Sequence, residues 1–177
     1  MRKILLLSDT HGYIDDAICR YAEKVDEIWH AGDIGSIDVY DRLAAIKPVR
    51  AVHGNIDGNE IRAVCPKNQR FNCENKDVWI THICGYPPNY TPALRQALMV
   101  KPPHIFICGH SHILKVIYDK KRNILHLNPG AAGREGFHKV RTMLRFTVDG
   151  NNIKDMDIIQ LGPRSANTEV SGEGNMA

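Results

Sequence analysis

The 177-residue chain is short of the features that mark several large protein classes. It has no long apolar run. The stretch ILLL at residues 4–7 is the only apolar run near the N-terminus, and Asp9 follows almost at once. Four residues are far too few for a signal segment or a membrane span. Blocks of like charge are also missing: the net charge is +3 with histidines neutral, and it is not gathered into a basic run. A basic face for nucleic acid is therefore not indicated, although a small active site can act on nucleic acid without one. The five cysteines (Cys19, Cys65, Cys73, Cys84 and Cys108) form no Cys-x-x-Cys pair, and their number is odd. That argues against a disulfide framework or a zinc knuckle and for a reducing, cytoplasmic setting. No internal repeat or linker divides the chain.

What is present fits one globular domain. The composition, 43% hydrophobic and 24% charged, is ordinary for a protein with a proper core. We expect a single domain over residues 1–161, with the small, polar residues 162–177 as a loose tail. KILLLSD reads as a buried strand, residues 13–24 as a helix, and DEIWHAGD as a second strand. Residues 36–47 read as a helix with Ser36 as its cap, stopped by Pro48 ahead of the strand PVRAVHGN. This β-α-β-α-β order predicts a parallel sheet with helices on its faces. Beyond residue 68 the pattern changes to a hairpin around residues 74–77, a helix over 90–100, and the strand HIFICGH. Three further stretches (ILKVIYD, NILHLNPG, and VRTMLRFTVDGNNIKDMDII) read as successive antiparallel strands. The mixture predicts an α/β domain of two packed mixed β-sheets flanked by helices.

The informative residues sit where apolar strands end. After ILLLS come Asp9 and His11, and after IWHAG comes Asp33. Asn55 follows AVHG, His82 follows VWIT, and IFICG leads to His110 and His112. Open α/β sheets build their sites outside the carboxyl ends of strands. Gly32, Gly54 and Gly109 introduce three of these residues, where glycine permits sharp turns and close approach. Any one of these motifs alone is weak, since Gly-Asp and Gly-Asn are common in turns. Their joint order along five strands is not. Two Asp, one Asn and four His are too many ligands for one tetrahedral zinc, and no thiolate is among them. They divide naturally over two metal ions if one carboxylate bridges; such ions lie about 3.5–4 Å apart and suit in-line displacement at phosphorus.

Asp9-x-His11, Gly32-Asp33, Gly54-Asn55-x-Asp57, Thr81-His82 and Gly109-His110-Ser111-His112 together resemble the calcineurin-like metallophosphoesterases, within them the small prokaryotic phosphodiesterase branch. Asn128-Pro129-Gly130 followed by Arg134 also resembles that branch, and the likeness runs from residue 1 to about 160. The resemblance implies a four-layer α-β-β-α sandwich. It implies one metal held by Asp9, His11, Asp33 and His112, and a second held by Asp33, Asn55, His82 and His110. Mn²⁺ is the expected ion, with Fe, Ni, Zn or Co as alternatives set by availability. It also implies diester hydrolysis by a hydroxide held between the ions, with Asn55, Asp57 and His82 in the catalytic set and Asn55 and Arg134 meeting the phosphate. One position departs from many relatives: Ile56 stands where a leaving-group-protonating histidine is common. A phosphomonoesterase or nuclease using the same ions is the alternative reading, and a non-catalytic protein-interaction scaffold of the same fold is a further one. The expected partner is a small phosphate-ester substrate, with a homo-oligomer, dimer or larger, implied by the branch and no membrane.

Overall fold

The structure is a computed structural model, described here over residues 1–165. The first sheet holds β1 (Arg2–Leu7), β2 (Glu27–His30), β3 (Val49–Ala51), and later in the chain β11 (Val140–Asp149) and β12 (Asn152–Pro163). Its order is β12-β11-β1-β2-β3, with β1, β2 and β3 parallel and β11 antiparallel to β1. The second sheet holds β4 (Asn68–Cys73), β5 (Lys76–Thr81), β8 (Ile105–Ile107), β9 (Leu114–Asp119) and β10 (Ile124–Pro129). Its order is β4-β5-β8-β10-β9. A small hairpin, β6 (Gly85–Tyr86) with β7 (Asn89–Tyr90), stands apart.

Side-chain alternation explains the layering, because successive residues of a strand face opposite sides. In β1, Leu5 and Leu7 pack outward against α1 (Asp16–Ala22) and α2 (Ile37–Ile46), while Ile4 and Leu6 pack into the space between the sheets. In the second sheet, Val78, Ile80, Ile105 and Ile107 point inward to the same space. Trp79 and Phe106 point outward to Leu94, Ala97 and Leu98 of α4 (Pro92–Val100). Strands such as ILLL are apolar throughout because both faces are covered. The four layers are helix, sheet, sheet, helix, as expected.

Several details differ from the sequence reading. The first helix is shorter, starting at Asp16 because the Asp15 carboxylate caps it by accepting from the Ile18 amide at 3.0 Å. Ser36 caps α2 as expected, accepting from Asp38. A helix that periodicity missed, α3 (Asn59–Val64), follows β3. NILHLNPG and the strand after it are not antiparallel neighbours: β10 joins the second sheet beside β8 and parallel to it, and β11 returns to the first sheet. β12 runs to Pro163, opposite Val140, two residues into the expected tail; residues 166–177 lie outside the described residues. Among the described residues there is one disulfide, a single bond rather than the framework that the cysteine number and spacing argued against. Cys84 and Cys108 are bonded, with Cα atoms 6.1 Å apart. They follow the adjacent parallel strands β5 and β8, a proximity that spacing along the chain does not reveal. No helix among the described residues is long and apolar enough to cross a membrane.

Candidate metal centre

The parallel strands β1, β2 and β3 of one sheet, and β5 and β8 of the other, deliver their carboxyl ends to one place. Two groups of ligand atoms lie there: Asp9, His11 and His112 in one, and Asp33, His82 and His110 in the other, the atoms of each group within 4.8 Å of one another. Asp9 and Asp33 are buried, His11 and His112 partly exposed, and His110 exposed at the opening. Asp33 reaches both groups, its Oδ2 3.2 Å from His82 Nε2 and 3.7 Å from His11 Nε2. Asp9 Oδ1 lies 3.1 Å from His112 Nε2 and 4.0 Å from His82 Nε2. Asn55 Oδ1 stands 3.1 Å from His82 Nε2. All seven side chains expected from the sequence thus converge on one place.

The backbone around them is unusual. Asp9, His11, Asp33, His110 and His112 all have positive φ, between 46° and 66°. Non-glycine residues are uncommon in this left-handed conformation, and five of them clustered at one place need surrounding contacts to hold them. Here backbone bonds clamp the first two loops together: Asp9 N–H to the Gly32 carbonyl, His11 to Asp33, and Gly12 to Ile34, at 2.8–3.0 Å. Side chains complete the clamp. Asp57 is 3% exposed and accepts from three amides, Ile34 at 3.1 Å, Gly35 at 2.7 Å and Gly54 at 2.8 Å. Its carboxylate is committed to the loops that carry Asp33 and Asn55. His30, fully buried, accepts from the Gly32 amide and bonds Thr10 Oγ1. That ties it to the Asp9 and Asp33 loops. Asn128 donates to the Gly109 carbonyl at 2.9 Å and to Ser111, and accepts from Gly130, fixing the His110–His112 loop. The Asn-Pro-Gly motif marked this residue in the sequence without indicating that role.

The electrostatics suit cations. Burial opposes ionisation of Asp9, yet the neighbouring His11 and His112 hold its carboxyl far below the usual range. Asp33 is also held down, with His82 and the Ile56 amide overcoming its burial. Conversely, the Asp9 carboxylate raises His11 against its burial, and Asp33 and Asp9 raise His82 against its own. His82 Nδ1 bonds the Ala31 carbonyl at 2.7 Å, which directs the Nε2 lone pair inward. There Nε2 meets Asp33 Oδ2 and Asn55 Oδ1, so one nitrogen and two oxygens converge on a point that favours positive charge, whether a proton or a divalent ion. Asp9 Oδ1 and His11 Nε2 are buried without a hydrogen-bond partner. Orphaned donor atoms of this kind, all oxygen and imidazole nitrogen, fit divalent ions of the Mn, Fe, Zn type. Arg134 is exposed and stacks its guanidinium over the ring of Tyr13, two residues beyond His11, at 4.3 Å.

Residues 2–151 match the model of the calcineurin-like phosphoesterase superfamily domain. The chain belongs to that superfamily. The superfamily binds divalent metals, and the two groups above are candidate ligands for them in this chain. A probable metallophosphoesterase of Methanothermobacter thermautotrophicus is 28% identical over 162 residues, covering 89% of this chain and 91% of the relative. Among solved structures, Vps29 of Chaetomium thermophilum superposes with a TM-score of 0.72 at 16% identity, covering 90% of this chain and 96% of that one. An archaeal phosphodiesterase superposes with a TM-score of 0.64 at 19% identity, covering 90% and 99%. At such identities the structural likeness speaks for the fold alone.

Proposed function

We propose that this phosphoesterase hydrolyses phosphate diesters with two divalent ions. One would be held by Asp9, His11, Asp33 and His112, the other by Asp33, Asn55, His82 and His110. The observation that carries the reading is the place of Asp33, whose Oδ2 lies within 4 Å of an imidazole nitrogen from each ligand group. A carboxylate so placed suits a bridge. Mn²⁺ is the proposed ion, because the donors are hard oxygens and borderline imidazoles. Bound there, the ions would acidify water and offset charge on the phosphoryl oxygens.

The chain's own residues orient the reaction. His82 presents Nε2 because its other nitrogen is engaged by Ala31. Asn55, at the exposed edge, offers its amide to a phosphate oxygen. Asp57 keeps Asp33 and Asn55 in register through the amides it binds and touches no ligand atom of the centre, so its share in catalysis is that of a positioning residue. Ile56 is 48% exposed beside Asn55 and supplies no proton. Protonation of a leaving group is worth about 10²–10⁴-fold, so diesters with acidic leaving groups should be favoured.

The test is hydrolysis of bis-p-nitrophenyl phosphate and p-nitrophenyl phosphate by metal-stripped protein, with Mn²⁺ restored, beside Asp33→Ala and His112→Ala. Restored diester cleavage that both variants lose supports the proposal. Preference for the monoester would make the protein a phosphatase. Absence of turnover with two ions bound would favour the scaffold reading.

A further inference from the structure

Beside the metal centre lies a recess of about 280 Å³. Asn55 and His82 line it, and so do His53, Arg62, Lys67 and Ile83. It therefore shares two residues with the centre and adds two full positive charges. Arg62 is held in place by backbone carbonyls: its Nε donates to Asp57 at 2.6 Å and its Nη2 to Gly54 at 3.3 Å. Those bonds fix the guanidinium on the loop that carries Asn55 without neutralising it. Among the described residues, neither Arg62 nor Lys67 has a carboxylate within 4.0 Å, and unlike other cations without one they stand together at a recess that reaches the metal centre.

The metal ions would neutralise the scissile phosphate, so these cations are surplus to it. Two unpaired cations at a recess suit a second anion, and arginine with lysine is a common phosphate-binding pair. The volume falls just below the usual range for small-molecule sites, about 300–1,000 Å³, which suits one charged group rather than a whole cofactor. We propose that the recess is a subsite for a second phosphate group of the substrate, carried on one arm of the diester. This rests on the diesterase reading above. It narrows the substrate class to diesters that bear a further phosphate.

The test compares kcat/KM of the Mn²⁺-loaded protein for thymidine 3′-(p-nitrophenyl phosphate) with the same ester bearing a 5′-phosphate, and for thymidine 5′-(p-nitrophenyl phosphate) with the same ester bearing a 3′-phosphate. Hydrogen bonds to charged groups contribute enough that a preference of about tenfold for one phosphorylated form is expected. The preference should fall to near one in Lys67→Ala and shrink in Arg62→Gln, while Lys154→Ala, on the far strand β12, keeps it. A ratio of selectivities is insensitive to partial misfolding. Cleavage of bis-p-nitrophenyl phosphate with no preference for the phosphorylated thymidine esters, or with no turnover of any of them, would overturn the subsite. So would a preference that survives both variants.

If no diester is cleaved, the parent reading has failed, and binding decides the subsite by itself. Inorganic pyrophosphate should then bind the metal-stripped protein about tenfold more weakly in Lys67→Ala than in Lys154→Ala. Equal affinities would overturn the proposal.

Discussion

Replacing Asp57 by Asn separates a positioning role from a chemical one. The carboxylate uses Oδ2 for Ile34 and Gly54 and Oδ1 for Gly35, with all three donors on loops that carry metal-ligand candidates. Asparagine keeps one oxygen, enough for two of the three amides, and turns an NH₂ toward the third. One buried donor left unsatisfied costs about 1–3 kcal/mol. At about 2 kcal/mol, a domain of this size should lose about 4–8 °C in Tm. Alanine would strand all three donors, a loss comparable to the whole stability of about 5–15 kcal/mol, so the asparagine variant is the informative one. Because the disturbed loops hold Asp33 and Asn55, Mn²⁺ affinity should drop about 10–100-fold. At saturating Mn²⁺, however, kcat and the shape of its pH profile should stay close to wild type. The assays are calorimetric melting, metal titration, and diester hydrolysis across pH. A fall in kcat beyond a thousandfold with Tm and metal affinity unchanged would refute the reasoning and make Asp57 a participant in the chemistry.

Burial, with Lys115 nearby, pushes His126 down to about 4, so it stays neutral in the folded state where the unfolded chain is already protonated. Its contribution is complete above about pH 6.5 and is lost as the pH falls toward 4; between pH 7.5 and 5 the metal-stripped wild type should lose about 2 kcal/mol more than His126→Leu in urea melts, and parallel losses would show the histidine is not the source. Gly54→Ala should lower Tm and prevent stoichiometric Mn²⁺ binding, because a Cβ there would press on the Asp33 backbone nitrogen and carboxylate; normal metal titration would contradict that packing. Asn128→Ala frees the Gly109 carbonyl and the Gly130 amide, and should cost about 1–3 kcal/mol while weakening Mn²⁺ binding, both read from melts with and without metal. Unchanged metal affinity in that variant would mean the His110–His112 loop holds itself.

The legible parts of this chain were those in which each residue's environment repeats locally. The apolar strands and the Ser36 cap follow from neighbours a few positions away. So did the candidate ligands, because each strand end interrupts an apolar run with a residue that burial alone would not choose. The short α3 was not legible. Its cap is Gly58, which offers no side chain, and its six residues are too few for a helical period to emerge. The pairing of β10 with β8, the Cys84–Cys108 bond and the three amides on Asp57 were hidden for another reason: they join segments that only the folded chain brings together. The His110 amide, for example, donates to Asp9 across 101 positions.

Glycine taught the subtler lesson. In the sequence, Gly32, Gly54 and Gly109 suggested sharp backbone turns at the site. Only Gly32 of the three has a positive φ. At Gly54 and Gly109 the missing side chain makes room instead, the first for Asp33 and the second for Ser8 and Asp9. The left-handed turns fall on Asp9, His11, Asp33, His110 and His112 themselves. Strain of this kind costs about 1–3 kcal/mol per residue and persists only where surrounding contacts over-determine it. The clamp of backbone bonds between the first loops, together with Asp57, His30 and Asn128, is that over-determination. The bonds that hold these candidate ligands in place are the chain's own. Disturbing the clamp should therefore weaken metal binding through residues that never touch the metal.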